Sequence, residues 1–235
     1  MNRMIYLPLT AMLTAAVSLI IAQPPAELQK KIADLKQSMA ANQAALRKYS
    51  WTETVELSIK GEQKSRDQSE CRYGADGKVI KTPVGEKPDK DAGKKKIGGK
   101  IVAKKVGEFK EYMERIGSLI KRYVPPSGQQ LAAAHQAGNA SIQMNTGSTG
   151  STVLIFKNYV KQGDEVAITL NNADGQLASY TVKTYLDSPE DVATLAVKFQ
   201  SLADKTRYVS ETLLEAKAKQ AVVKTTNFGY QKVAN

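Results

Sequence analysis

The chain has 235 residues, with 34 Lys and Arg against 23 Asp and Glu, one His and one Cys. An apolar share of 42% beside 24% charged residues belongs to a globular chain, neither disordered nor collagen-like, and the length allows a core without disulfides. A lone cysteine forms no internal disulfide or cysteine cage, a lone histidine makes no zinc-binding pair, and the net charge of +11 favours acidic partners without naming one.

Residues 1–22 read MNRMIYLPLTAMLTAAVSLIIA, with Arg3 ahead of an apolar run and Ala22 as a small residue at a cleavage position. This pattern predicts a signal peptide, cleavage after Ala22 and a mature chain 23–235 that is periplasmic or secreted. Ile20 is larger than usual three positions before the bond. The alternative is an uncleaved anchor, since about 19 apolar-leaning residues just reach across a bilayer. Pro8, Thr10, Thr14 and Ser18 weaken that span. With no cysteine at the junction, a lipid-modified N-terminus is not expected, and no second apolar stretch approaches spanning length.

After Pro24-Pro25, Leu28, Ile32, Leu35, Met39 and Leu46 recur at helical spacing and predict an amphipathic helix. The period then changes to two. Trp51, Val55, Leu57 and Ile59 alternate with Thr52, Thr54, Glu56, Ser58 and Lys60, a strand with one buried face. Glu53 falls on that apolar face near the strand's start, as a functional acid or as a rim residue. Gly61-Glu62 turns the chain into a polar strand, Gln63–Tyr73, and Asp76-Gly77 into Lys78–Pro83. Residues 84–105 form a Lys- and Gly-rich flexible loop. Val106, Phe109, Met113, Ile116, Ile120 and Val124 then mark a helix ended by Pro125-Pro126. Ser127 is placed to cap a short helix, with Gln130 reaching back as a capping box and Gly138 closing it.

Thr146–Ser151 reads as a loop. The runs STVLIFKNYV, DEVAITLN and GQLASYTVKTYL, separated by short polar turns, predict an antiparallel meander, and DVATLAVKF adds a fourth strand. Residues 211–226 fit helix or strand; the surrounding meander favours strand. The mature chain is expected to be one α+β domain.

No constellation points to catalysis, and no catalytic residue, metal ligand or cofactor is assigned. GKKKIGGK at residues 93–100 lacks the Lys and hydroxyl that a phosphate loop needs after its second glycine. NNADG at residues 171–175 lacks the closing Glu of a calcium loop and reads as a hairpin turn. His135, near a helix end, reads as a dipole-neutralising residue, and Cys71 as a packed thiol at the sheet edge. Asn139-Ala140-Ser141 matches a glycosylation sequon but reads as a helix exit.

Lys94, Lys95, Lys96, Lys100, Lys104 and Lys105 fall within twelve residues with no acid among them. They form either a solvated loop or a dock for an anionic envelope surface, worth about 1 kcal/mol per lysine near such a surface. No aromatic residue interleaves them, so nucleic acid is not expected as a partner.

The helix end Leu46-Arg47-Lys48-Tyr49, the strand SWTETVELSIKGEQ and the turn Tyr73–Lys78 carry a resemblance, as do STVLIFKNYV and the ending Asn227–Val233. On these segments the chain resembles the family of exported outer-membrane-lipoprotein-sorting-like proteins, whose relatives include the LolA/LolB carriers. The resemblance implies a curved antiparallel sheet, an incomplete β-barrel covered by helices, with acyl chains held between the two. It nominates Trp51, Val55, Leu57 and Ile59 of the first strand and Phe109, Met113, Ile116 and Ile120 of the helix as cavity-lining residues. The alternative is that these residues fill a solid core. The expected partner is a lipid or acyl-chain ligand, the alternative an anionic envelope surface, and the expected state a monomer.

Overall fold

The computed structural model describes residues 41–85, 99–145 and 150–233, together with Gln37. The expected signal peptide, most of the first amphipathic helix, and Lys94, Lys95 and Lys96 lie outside the described residues. Residues 41–46 are helical. Ten strands follow: β1 (Tyr49–Ile59), β2 (Glu62–Tyr73), β3 (Val79–Pro83), β4 (Ala140–Asn145), β5 (Ser151–Lys157), β6 (Glu165–Asn171), β7 (Leu177–Tyr185), β8 (Val192–Ser201), β9 (Arg207–Ala216) and β10 (Ala221–Lys232). Between β3 and β4 stand the helices α1 (Gly99–Ile120) and α2 (Gly128–Gln136).

All ten strands form one antiparallel sheet in the order β3-β2-β1-β10-β9-β8-β7-β6-β5-β4. β3 and β4 sit at opposite edges and do not pair, so the barrel stays incomplete. The chain must travel from one edge to the other, and α1 and α2 occupy that crossing. They therefore lie on one face, which is the apolar one. The α+β architecture expected from the sequence, an open antiparallel sheet covered by helices, is the one observed.

The larger core joins Leu154, Phe156, Val166, Ile168, Tyr180, Val182, Leu195 and Val197 of β5–β8 to Leu119, Tyr123, Leu131 and Ala134 of the helical layer. A smaller one seats Tyr112 and Ile116 on Ala193, Ala216 and Ala221. The small alanines of three neighbouring strands leave room for the larger side chains of α1, and burying one such as Ile116 contributes about 2–3 kcal/mol.

Several elements differ from expectation. The helix expected to end at Pro125 stops at Ile120. Its buried stripe is Tyr112, Ile116 and Leu119, whereas Val106 and Val124 are exposed. Tyr123, just beyond α1, is fully buried, with its phenol hydrogen-bonded to Asp164 and Thr184. Residues 99–105, expected to belong to a flexible loop over 84–105, are instead the start of α1, and residues 86–98 lie outside the described residues. Ser127 caps α2 through Gln130 N, but its own N–H donates to Tyr159 Oη (2.7 Å), taking the place of the reciprocal capping-box bond.

Ala140 opens β4 rather than a helix exit. Residues 211–226 hold parts of two strands, separated by a tight turn at Lys217–Lys219 with Gln220 at φ 46°. No glycine marks that turn, which hides it in the sequence. The first hairpin closes through Lys60 and Gly61, both at positive φ as a two-residue primed turn requires.

Candidate functional site

Cross-strand register carries the apolar face from the covered strands to β1. Leu195 and Ala193 of β8 stand opposite Leu214 and Ala216 of β9. These face Val223 and Ala221 of β10, which in turn oppose Leu57 and Ile59 of β1. Val55 continues the row opposite Thr225. Leu214 packs against both core clusters, while Val55, Leu57, Ile59 and Val223 are half-buried and belong to neither. Among the described residues, the face is thus covered over β5–β8 and continues over β1 and β10 as a strip of half-buried apolar side chains, termed the trough.

One end of the trough is aromatic. Trp51 stacks on Tyr230 with ring centroids 5.5 Å apart and planes 8° from parallel, and packs tilted against Tyr73 at 5.3 Å. Tyr208 lies 4.4 Å from Tyr230. A register shift between Ser50 and Thr52 adds a residue to β10 here, and Gly229 takes φ 66° to absorb it. Trp51 Nε1 donates to Asn227 Oδ1 at 3.1 Å. Burial lifts the Tyr230 phenol well above its ordinary value.

The eight nominated lining residues therefore occupy distinct surroundings. Ile116 is fully buried against alanines, with Phe109, Met113 and Ile120 half-buried around it. Trp51 belongs to the aromatic end, and Val55, Leu57 and Ile59 line the trough. Glu53 is not a free acid: its side chain is only 12% exposed and accepts from Lys81 Nζ. Cys71 is buried beside Trp51 across the strand pair; desolvation pushes its thiol up, aided by Glu53 and opposed by Lys81.

Three cavities border other surfaces. One of about 410 Å³ is lined by Lys60, Thr194, Glu215, Gln220 and Val222, on the outer side of the sheet. Another of about 590 Å³ lies along α1 at Glu114, Arg115, Arg122, Lys161 and Asp187. The third, about 260 Å³, adjoins Asn42, Asp204 and Arg207. None of the three is lined by the nominated residues. Among the described residues, no group of His, Cys, Asp and Glu is placed to hold a metal ion, and no helix is long and apolar enough to cross a membrane.

Of the basic cluster, Lys100, Lys104 and Lys105 fall in the first two turns of α1, and Lys105 is exposed. No acid occupies that first turn. Sequence reasoning missed Asp164, a buried acid that organises the turn between β5 and β6; only its flanking Gly163 hinted at a turn.

No family model and no curated protein matches the chain. Among solved structures, it aligns with a DUF1329 family protein from Desulfovibrio piger at a TM-score of 0.39 and 9% identity, over 86% of this chain and 93% of that one. A LolA superfamily protein from Nitrosomonas europaea aligns at 0.37 and 9% identity, over 85% and 94%. An outer membrane lipoprotein-sorting protein domain from Vibrio parahaemolyticus aligns at 0.40 and 8% identity, over 88% and 94%.

Proposed function

We propose that the chain is an exported, periplasmic, non-catalytic protein that binds or carries a lipid or acylated ligand along the open part of its apolar face. The observation behind this reading is the trough: Val55, Leu57, Ile59 and Val223 continue the core's face yet belong to neither core cluster. A flexible acyl chain suits such a surface, because each methylene removed from water contributes about 0.8 kcal/mol without any polar partner. The test is organic extraction and native mass spectrometry of protein purified from the cell envelope. Co-purifying lipid is expected with the wild type and not with Leu57→Asp or Val223→Asp. Wild-type protein free of lipid overturns the reading, as does unchanged lipid in both variants.

A second reading, docking on an anionic envelope surface, is favoured by the placement of lysines at the start of α1. Positive charge there opposes the helix dipole, an arrangement that costs stability unless an anion is near. Replacing Lys94, Lys95, Lys96 and Lys100 with Gln then abolishes binding to anionic vesicles at low salt; unchanged binding rejects it.

A further inference from the structure

The two edges of the sheet are finished differently. β3 carries Lys81, tied back to Glu53, and Pro83, which has no N–H to offer a new strand. β4, with sequence ASIQMN, has neither a charge nor a proline. Its inner-face side chains stand largely in solvent, Ile142 52% and Met144 70% exposed.

The register shows which main-chain groups of β4 are free. Lys157 N donates to Asn139 O, so Asn139 and Lys157 form a hydrogen-bonded pair. By alternation Ser141, Gln143 and Asn145 also bond to β5. The N–H and C=O groups of Ala140, Ile142 and Met144 therefore point away from the sheet, and among the described residues no strand receives them.

We propose that β4 is the seam of a two-fold dimer, in which two copies of this chain pair antiparallel about Ile142. The strand is self-complementary about that point. Ile142 meets its own copy, and Met144 falls opposite Ala140 of the second chain, large against small. Each of these pairs uses the outward main-chain groups of both strands. The uncharged edge keeps this basic chain from meeting its own charge, and a two-fold seam closes on itself. Both apolar faces then lie on one side of a joined sheet. The state differs from the monomer expected from the sequence and does not depend on what the trough binds.

The experiment is sedimentation of the full exported protein over about a hundredfold range of concentration, where mass action reveals a dimer. Wild type is expected at twice the monomer mass. Ile142→Pro removes an outward donor and no bond to β5, so it is expected to be monomeric and still to unfold cooperatively, with a melting temperature that no longer rises with protein concentration. Met144→Lys is expected to be monomeric as well. As a positive arm, Ile142→Cys is expected to oxidise to a covalent dimer, whereas Val79→Cys on β3 stays monomeric; Cys71 is buried and left in place. Wild type monomeric throughout, including the case in which β4 accepts only a strand from another protein, overturns the proposal. So does a dimer that both edge substitutions leave intact.

Discussion

The phenol of Tyr123 donates a 2.7 Å hydrogen bond to Oδ2 of Asp164, tying the link between α1 and α2 to the turn between β5 and β6. Asp164 is only 2% exposed and also accepts from the main-chain N–H groups of Tyr159 (2.5 Å), Val160 (2.9 Å) and Lys161 (2.8 Å). Four donors thus replace the water that a buried carboxylate loses. The Tyr123 carbonyl accepts from Tyr180 Oη at 2.6 Å, so the same residue is fixed from both ends. This junction holds the helices over β5–β8.

Tyr123→Phe is expected to lower unfolding free energy by about 2 kcal/mol, the scale of a hydrogen bond to a charged group, with the denaturant slope unchanged. Burial, opposed by the Thr184 hydrogen bond and reinforced by Asp164, holds the phenol well above its ordinary value. The folded state therefore favours the neutral phenol. That contribution is complete below the unfolded value near 10 and is lost as pH rises past it. Urea titrations above about pH 10 should show a shallower decline for the variant than for wild type.

The acid limb depends on Asp204. Tyr49 Oη donates to its Oδ2 at 2.5 Å, Thr206 N to Oδ1 at 3.1 Å, and Lys232 Nζ lies 3.5 Å away. These partners, Tyr49 foremost, pull the carboxyl well below the usual aspartate range. A depressed value contributes stability above the unfolded value near 4, lost as pH falls below it. The melting temperature of Asp204→Asn is expected to fall less than that of wild type between about pH 5 and pH 2. Parallel curves refute the assignment.

Trp51 is the chain's single tryptophan, 8% exposed and stacked on Tyr230, with buried Cys71 opposite it in β2. Native protein should therefore resist both acrylamide quenching of its tryptophan emission and labelling by a thiol reagent. Tyr230→Ala removes the stacking face. It should accelerate both processes together, since one aromatic end shields both groups. Acceleration of only one separates them and contradicts a shared shield.

The legible parts of the fold are those where local pattern and burial agree. Val166, Ile168 and Leu170 alternate along β6, and the Asn171–Gly175 turn has the residues its backbone needs. β4 was illegible because its apolar residues, Ile142 and Met144, alternate over only six positions and face solvent. The β9–β10 turn was hidden because Gln220 takes a left-handed conformation without glycine or asparagine. Asp164 sits in an ordinary-looking Gly-Asp-Glu turn, and its partner Tyr123 is distant in sequence. At the candidate site, the alternation of β1 located Val55, Leu57 and Ile59 on one face. The pairing of Trp51 with Tyr230 arose from tertiary register that no local pattern carries.

The trough and the sealed core make opposite demands on the nominated residues. Ile116 is fully enclosed by alanines and neighbouring side chains, so Ile116→Ala leaves a cavity and should cost about 3 kcal/mol. Leu57 is half-buried and outside both core clusters, so Leu57→Ala should cost about 1 kcal/mol or less. Binding should follow the reverse order. If the trough takes an acyl chain, Leu57→Ala weakens uptake of a fluorescent fatty-acid probe, while Ile116→Ala changes stability and leaves probe affinity near wild type at temperatures where it stays folded. Equal stability losses in the two variants would place Leu57 in a filled core, and a greater affinity loss for Ile116→Ala would move the binding surface beneath α1.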